Sequence, residues 1–342
     1  MIKYKFKSHL HQILEEELLA GEKFPHQSSG LFRPSEASAV YYKNEKPKIV
    51  GSCARKTYYR LTHTPPTDIS RMAHQENRMR EGKASEEQVT EDAKKAGIYL
   101  ANNVPFHKFF GDVGISGEID AVYTTGRCGG VNYVVEQKSI YGYYAQKDIF
   151  GRFLHLGSNP GKPRDSYIMQ TALYLRYFSY LPKEDPAFLP FGAIYVRDRG
   201  DGHFGVFDTW LEPETFNRGG ETLTRNHIIY ASEKMGVDPT QVPYDVEDIL
   251  ERFQYIQNCV AKKDIPPRDF SIEYTPEQVE EAYINGDISE SSYKKWKSSH
   301  GPRGKGKEKI SDWQCNYCIF SRYCWETNFS QVEEETQEYF NK

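Results

Sequence analysis

Two β-prone runs separated by a glycine-bearing turn constrain this chain more than any other stretch. Gly117 to Lys138 reads GEIDAVYTTGRCGGVNYVVEQK. Val113 to Tyr123 and Val131 to Val135 are rich in β-branched and aromatic residues, and Thr125-Gly126 through Gly129-Gly130 punctuates them. The pattern predicts a hairpin that brings Asp120 and Glu136 onto neighbouring strands. Glu136 and Lys138 are two residues apart, so their side chains leave the same face of the second strand.

Two carboxylates and one ammonium on a sheet face are hard to bury. The carboxylates repel, and one lysine offsets only part of that repulsion. A divalent cation resolves the conflict, because hard Mg²⁺ or Mn²⁺ takes carboxylate oxygens and leaves Lys138 to face an anionic reacting group. The alternative is a surface hairpin carrying an ordinary salt bridge, and the short D…ExK pattern leaves both open.

The chain of 342 residues is long enough for one large domain or two, and its 38% hydrophobic and 27% charged residues suit a soluble protein. No apolar run reaches the roughly 18 residues that span a bilayer. The first residues, MIKYKFKSHLHQILEEELLAGE, lack the apolar block of a signal peptide and predict an amphipathic helix. A cytoplasmic protein without membrane contact is the expectation. The net charge of −4 does not advertise nucleic-acid binding. The basic run Lys294 to Lys309 follows an acidic stretch from Glu273 to Glu290, and a solvated linker is the expectation there.

Along the chain, Cys53 stands at the start of a helix in GSCARKTYYRLT, and Ser70 to Gly97 predicts a long helix. Ser139 to Ser166 reads as a long irregular connection, of the kind that usually carries function. In it, Tyr141, Tyr143, Tyr144, Phe150 and Phe153 offer flat faces and Lys147, Arg152, Lys162 and Arg164 offer charge, a pairing suited to single-stranded DNA, with aromatics that merely pack on the domain as the alternative. An apolar helix is expected from Tyr167 to Leu181. Strands are expected at Phe191–Arg197 and His203–Trp210, and helices at Pro213 to Lys234 and Val246 to Lys263. The order fits an α/β domain with appended helices.

Of six cysteines, Cys315, Cys318 and Cys324 cluster as CNYCIFSRYC, whereas Cys53, Cys128 and Cys259 stand alone. In an intracellular chain this clustering argues for metal rather than disulfides. Four thiolates suit zinc as well as an iron–sulfur cluster. Gln170 and Tyr174 lie at i and i+4 of the apolar helix and share a face. Taken alone, they read as a core hydrogen-bonding pair, and His74 reads as an ordinary helix residue.

In order, however, the motifs are His74, GEID with Asp120, EQK with Glu136 and Lys138, then QTALY with Gln170 and Tyr174. One cysteine precedes them, and IPPRD and C-x2-C-x5-C follow. From Cys53 to Cys324 this order resembles the RecB-like branch of the PD-(D/E)XK nucleases. Among these it is most similar to the iron–sulfur members: CRISPR-associated exonucleases, their viral relatives and the nuclease domains of AddAB-type enzymes. No GxxxxGK[ST] motif is present, so no ATP-driven motor is expected within the chain.

The resemblance implies a restriction-endonuclease-like α/β core, a mixed central sheet flanked by helices. It further implies a lead-in over residues 1–50 and a nuclease domain over 51–342, with helical additions joined by a cluster. His74, Asp120, Glu136 and the Gln137 carbonyl would ligate Mg²⁺ or Mn²⁺. Lys138 would orient water or stabilise the transition state, with Gln170 and Tyr174 positioning it or the substrate. Cys53, Cys315, Cys318 and Cys324 would hold a [4Fe–4S] cluster, with Zn²⁺ as the alternative. The implied activity is DNA hydrolysis, as an exonuclease on single strands or free ends. A structure-specific endonuclease and a DNA-holding assembly factor are the alternatives. The implied partners are DNA and a helicase, recombination or CRISPR-adaptation machinery, with a homo-oligomer also open.

Overall fold

The structure is a computed structural model describing residues 30–65, 70–125, 130–178, 191–301, 306 and 308–325; the side chains of 70–76 and of Arg218 are outside that description. The first-helix expectation and Cys128 fall outside it. In chain order the elements begin with a hairpin, β1 (Ser38–Lys43) and β2 (Lys46–Gly51), then helices α1 (Ala54–Leu61) and α2 (Ser70–Ala96). Strands β3 (Tyr99–Phe110), β4 (Val113–Thr124) and β5 (Asn132–Ile140) follow. Helices α3 (Tyr143–Phe150) and α4 (Asp165–Phe178) lead to β6 (Phe191–Asp198), β7 (Phe204–Arg218), β8 (Glu221–Ser232) and β9 (Val237–Asp245). The chain continues through α5 (Val246–Lys262), α6 (Pro276–Ile284), α7 (Glu290–His300), α8 (Trp313–Asn316) and α9 (Ser321–Trp325).

The chain divides into two compact units. One holds residues 28–52 and 77–265, and the other holds 53–76 and 266–342 together with the first 27 residues. The larger unit is built on a seven-stranded mixed sheet in the order β3-β4-β5-β6-β7-β8-β9. Every pairing is antiparallel except β5 with β6. A parallel pair needs a crossover, and α3 with α4 supply it.

Helix α4 packs on one sheet face. It comes so close that a Cβ on Gly192 would meet Thr171 Cγ2 at 2.5 Å, which is why β6 carries glycine there. Ten of its residues are buried, as expected of a helix apolar nearly all round. On the opposite face Ala93 of α2 packs with Ala121, Tyr123, Val135 and Ala193. Helix α5 begins with a reciprocal cap, in which Asp248 N–H donates to Asp245 and Asp245 N–H donates to Asp248. It buries Val246, Ile249, Phe253 and Ile256 at helical spacing, with Phe253 against Phe32 at 4.5 Å.

Three expectations are corrected. Pro213 to Lys234 is not a helix but the outer part of β7, a turn and β8. Arg218 pairs with Glu221 around Gly219-Gly220, whose φ angles of 62° and 87° suit a primed hairpin turn that a helix could not accommodate. The connection from Ser139 to Ser166 is not irregular throughout, because Ile149 and Phe150 anchor α3 in the core. The basic run is helical as far as His300, since Tyr293 and Trp296 are buried and hold α7 in place.

Candidate functional site: a carboxylate–lysine pocket and a cysteine corner

The β4–β5 ladder runs from Thr124↔Asn132 to Ala121↔Val135 and ends there, because β4 continues its pairing with β3 while β5 continues with β6. Beyond the fork, backbone groups of β5 lose their β4 partners. Asp120 fills the gap: its Oδ2 accepts the Gln137 N–H at 2.7 Å. The predicted juxtaposition of Asp120 with the Glu136 strand is therefore present, and it is built by splaying strands rather than by a ladder pair.

Glu136 is completely buried. Its carboxylate is ion-paired with Lys138, whose Nζ also lies 3.5 Å from Asp120 Oδ2. Among the described residues, Glu136 Oε2 is buried with no hydrogen-bond partner. Burial pushes the Glu136 carboxyl up to about 7; Lys138 opposes that rise, and Asp120 and Glu86 add to it. For Lys138, burial works to lower the pKa, but Glu136 and Asp120 outweigh it and hold the ammonium above its ordinary value.

Two residues that the sequence did not single out join this pocket. Glu86, half-buried on α2, is pushed up by burial and then by Asp120, while Lys138 pulls it down. Tyr167 of α4 presents its ring to Lys138, with Nζ 6.0 Å from the centroid. Tyr167 lies three positions before Gln170 and seven before Tyr174, so helical spacing alone marks it as a neighbour.

Tyr174 is buried, and its hydroxyl donates to the Glu118 carbonyl at 3.1 Å, tying α4 to β4 two residues before Asp120. Burial first, then the charges of Glu136 and Asp120, keep this phenol far above its ordinary pKa and therefore neutral. Gln170 is buried too, but its amide donates to the Ser166 carbonyl of its own helix at 3.2 Å. The Gln137 side chain donates to Tyr123 Oη at 2.5 Å. Tyr143 and Tyr144 are exposed at the start of α3, and Lys147 is exposed on the same helix. Arg152 instead donates to the Gly236 carbonyl at 3.3 Å. The His74 side chain lies outside the described residues.

The smaller unit gathers the other predicted set. Cys53 is the N-cap residue of α1, Cys315 lies in α8, Cys318 follows it, and Cys324 lies in α9. Their thiols stand within electrostatic reach of one another. Burial lifts Cys315 to about 12, with Cys53, Cys318 and Cys324 contributing; burial lifts Cys53 to about 11, with Asp269 and Cys318 contributing. The IPPRD segment acts as a clamp here. Asp269 accepts the Ala54 N–H at 2.6 Å, Pro266 O accepts Arg55 Nε at 2.8 Å, and Arg268 Nε donates to Cys324 O at 2.9 Å. Arg268 also stacks on Trp325 at 4.3 Å. Cys259 is buried in α5, in the larger unit.

Among the described residues, no three His, Cys, Asp or Glu side chains stand as a ready-made metal site. The donor chemistry nevertheless suits metal in both places. Among the described residues, a buried carboxylate oxygen lacks a partner in the first, and in the second Cys315 interacts electrostatically with Cys53, Cys318 and Cys324. Among the described residues, no helix is long and apolar enough to cross a membrane. Comparison with family models, with curated proteins and with solved structures found no match to this chain.

Proposed function

We propose that this protein is a metal-dependent nuclease of the RecB-like PD-(D/E)XK type, hydrolysing DNA phosphodiesters as an exonuclease on single strands or ends. One observation carries the reading. Glu136 is fully buried beside Asp120, with an oxygen that no described residue partners, at a strand fork where Lys138 contacts both carboxylates. A structural salt bridge has no use for a second, unsatisfied buried carboxylate oxygen, which costs free energy. A cation site does.

Asp120, Glu136 and the Gln137 carbonyl would hold Mg²⁺ or Mn²⁺, which polarises a phosphodiester and activates water when bound. Lys138 remains protonated beside the two carboxylates and would neutralise charge developing on phosphoryl oxygens. The Tyr167 ring limits where that ammonium can move. Tyr174 fixes the β4 backbone and so the direction of Asp120. In the smaller unit, Cys53, Cys315, Cys318 and Cys324 would hold a [4Fe–4S] cluster as a structural tie, with zinc as the competing occupant.

Incubation of end-labelled linear and circular DNA with Mg²⁺ or Mn²⁺ tests the reading. Loss of linear DNA, abolished by EDTA and sparing circles, supports an exonuclease. Cleavage of circles would make it an endonuclease. Binding without any cleavage would favour a DNA-holding assembly factor.

A further inference from the structure

A cleft of about 550 Å³ opens at the carboxyl ends of the parallel pair β5–β6, the end of such a pair where ligands commonly seat. Its walls are α2, the residue leaving β5 and the β6–β7 turn. The charges around it are unequally satisfied. Arg199 is ion-paired with Glu81, and Asp198 accepts from the Gln146 amide and from Gly200 N–H at 3.0 Å. Arg197 is half-buried; among the described residues its side chain has neither a hydrogen-bond nor an ion-pair partner, and its charge meets only the neutral Tyr195 phenol. A guanidinium held in a cleft whose acids are already engaged favours an anion from outside.

Aromatic surface flanks that charge. Tyr141, 72% exposed, lines the cleft, and Phe204, 57% exposed, is the β7 residue paired with Arg197. Phe204 stacks at 5.4 Å on Tyr195, which shares its sheet face with Arg197. The cleft also adjoins the carboxylate pocket. Tyr141 is three residues past Lys138, and Ser85 lines the cleft while the adjacent Glu86 interacts with Asp120 and Lys138.

We propose that this cleft is a subsite for single-stranded nucleic acid. In it, Arg197 takes a backbone phosphate and Tyr141 stacks a base, while Phe204, beside Arg197 on the adjoining sheet face, stacks another base of the strand that enters or leaves the pocket. The inference rests on the nuclease reading for what happens to that strand. Exposed rings beside an unneutralised cation are what sequence-tolerant strand binding uses. Tyr141 belongs to the segment the sequence suggested, whereas Arg197 and Phe204 lie outside it, and Arg152 is already committed to Gly236 O.

The test is fluorescence anisotropy of a labelled oligothymidylate with the full-length protein in EDTA, across a salt series, alongside cleavage with Mn²⁺. Arg197→Gln should weaken binding about tenfold and flatten the salt dependence by about 0.7 in logarithmic slope, the share of one phosphate. Arg197→Lys should restore most of that slope. Tyr141→Ala and Phe204→Ala should each weaken binding about fivefold or more, with the slope unchanged. Tyr141→Ala should keep the parent's thermal midpoint, whereas Phe204→Ala, which also loses its stack on Tyr195, should stay folded with a slightly lower one. Parent-like binding by Arg197→Gln and by the Tyr141→Ala/Phe204→Ala double variant, from a parent that cleaves, would overturn the subsite and leave the nuclease reading standing. Variants that bind more weakly, from a parent that binds but never cleaves, would support the subsite and overturn the nuclease reading. A parent that does not bind the oligonucleotide would overturn both.

Discussion

Asp120 accepts the backbone N–H of Gln137 at 2.7 Å, at the point where β4 and β5 part. A carboxylate that replaces a missing strand partner is held in place by the backbone, with Lys138 3.5 Å away as a second contact. Asp120→Asn should keep much of this contact through its carbonyl oxygen. Asp120→Ala should leave the N–H unpaired and destabilise the fold by roughly 1–3 kcal/mol. Urea unfolding of the two variants checks this: equal midpoints would mean that the contact contributes nothing.

Glu136 gives a pH signature to the cation-free protein. Its carboxyl titrates at about 7 when folded, against 4.5 ordinarily, because burial disfavours the charged form. The folded state therefore binds the proton more tightly. The stability it lends is complete below pH 4.5 and is lost as pH rises through 7, by about 3 kcal/mol at most. In EDTA, the parent should lose stability relative to Glu136→Gln across that window, and Mn²⁺ should reduce the loss. A stability difference between the two proteins that does not change between pH 4.5 and 7.5 would contradict the buried assignment.

Tyr174→Phe removes one hydroxyl and leaves the ring against Phe106, at 5.5 Å, intact. The Glu118 carbonyl then loses its donor. The expected cost is about 1 kcal/mol in stability, together with a fall in kcat several-fold greater than any change in KM, because the β4 backbone carrying Asp120 loosens. An unchanged kcat would remove Tyr174 from the positioning role.

For the cysteine corner, protein purified without oxygen should contain iron and acid-labile sulfide. Serine at Cys53, Cys315, Cys318 or Cys324 should lose them, whereas Cys259→Ser should not, since Cys259 is buried in the other unit. Stoichiometric zinc without iron would replace the cluster with a zinc site.

The parts of the molecule legible in the sequence are those where local pattern and tertiary role agree. The β4–β5 hairpin is rich in β-branched and aromatic residues around a glycine-bearing turn, and α5 repeats apolar residues at helical spacing from a capped start. The β7–β8 arm misled because its outer residues, Glu212 to Thr215 and Glu221 to Thr224, are exposed and show no apolar alternation. The signal available there was Gly219-Gly220. Glu86 was hidden among many acids of α2, since only the packing of that helix decides which one meets Lys138. Tyr167 could have been found, because it shares the helical face of Gln170 and Tyr174. Gln170 was chosen for its chemistry, yet it bonds its own helix.

The most direct measurement is Mn²⁺-dependent digestion of end-labelled linear single-stranded DNA by the parent protein and by Lys138→Ala, each shown to be folded by its thermal transition. The parent should release labelled nucleotides, a release abolished by EDTA, and Lys138→Ala should lose at least about a hundredfold, because no other described cation pairs with Asp120 and Glu136. Parent-like digestion by Lys138→Ala, or a parent inert with every divalent cation and DNA form tried, would contradict the proposed function.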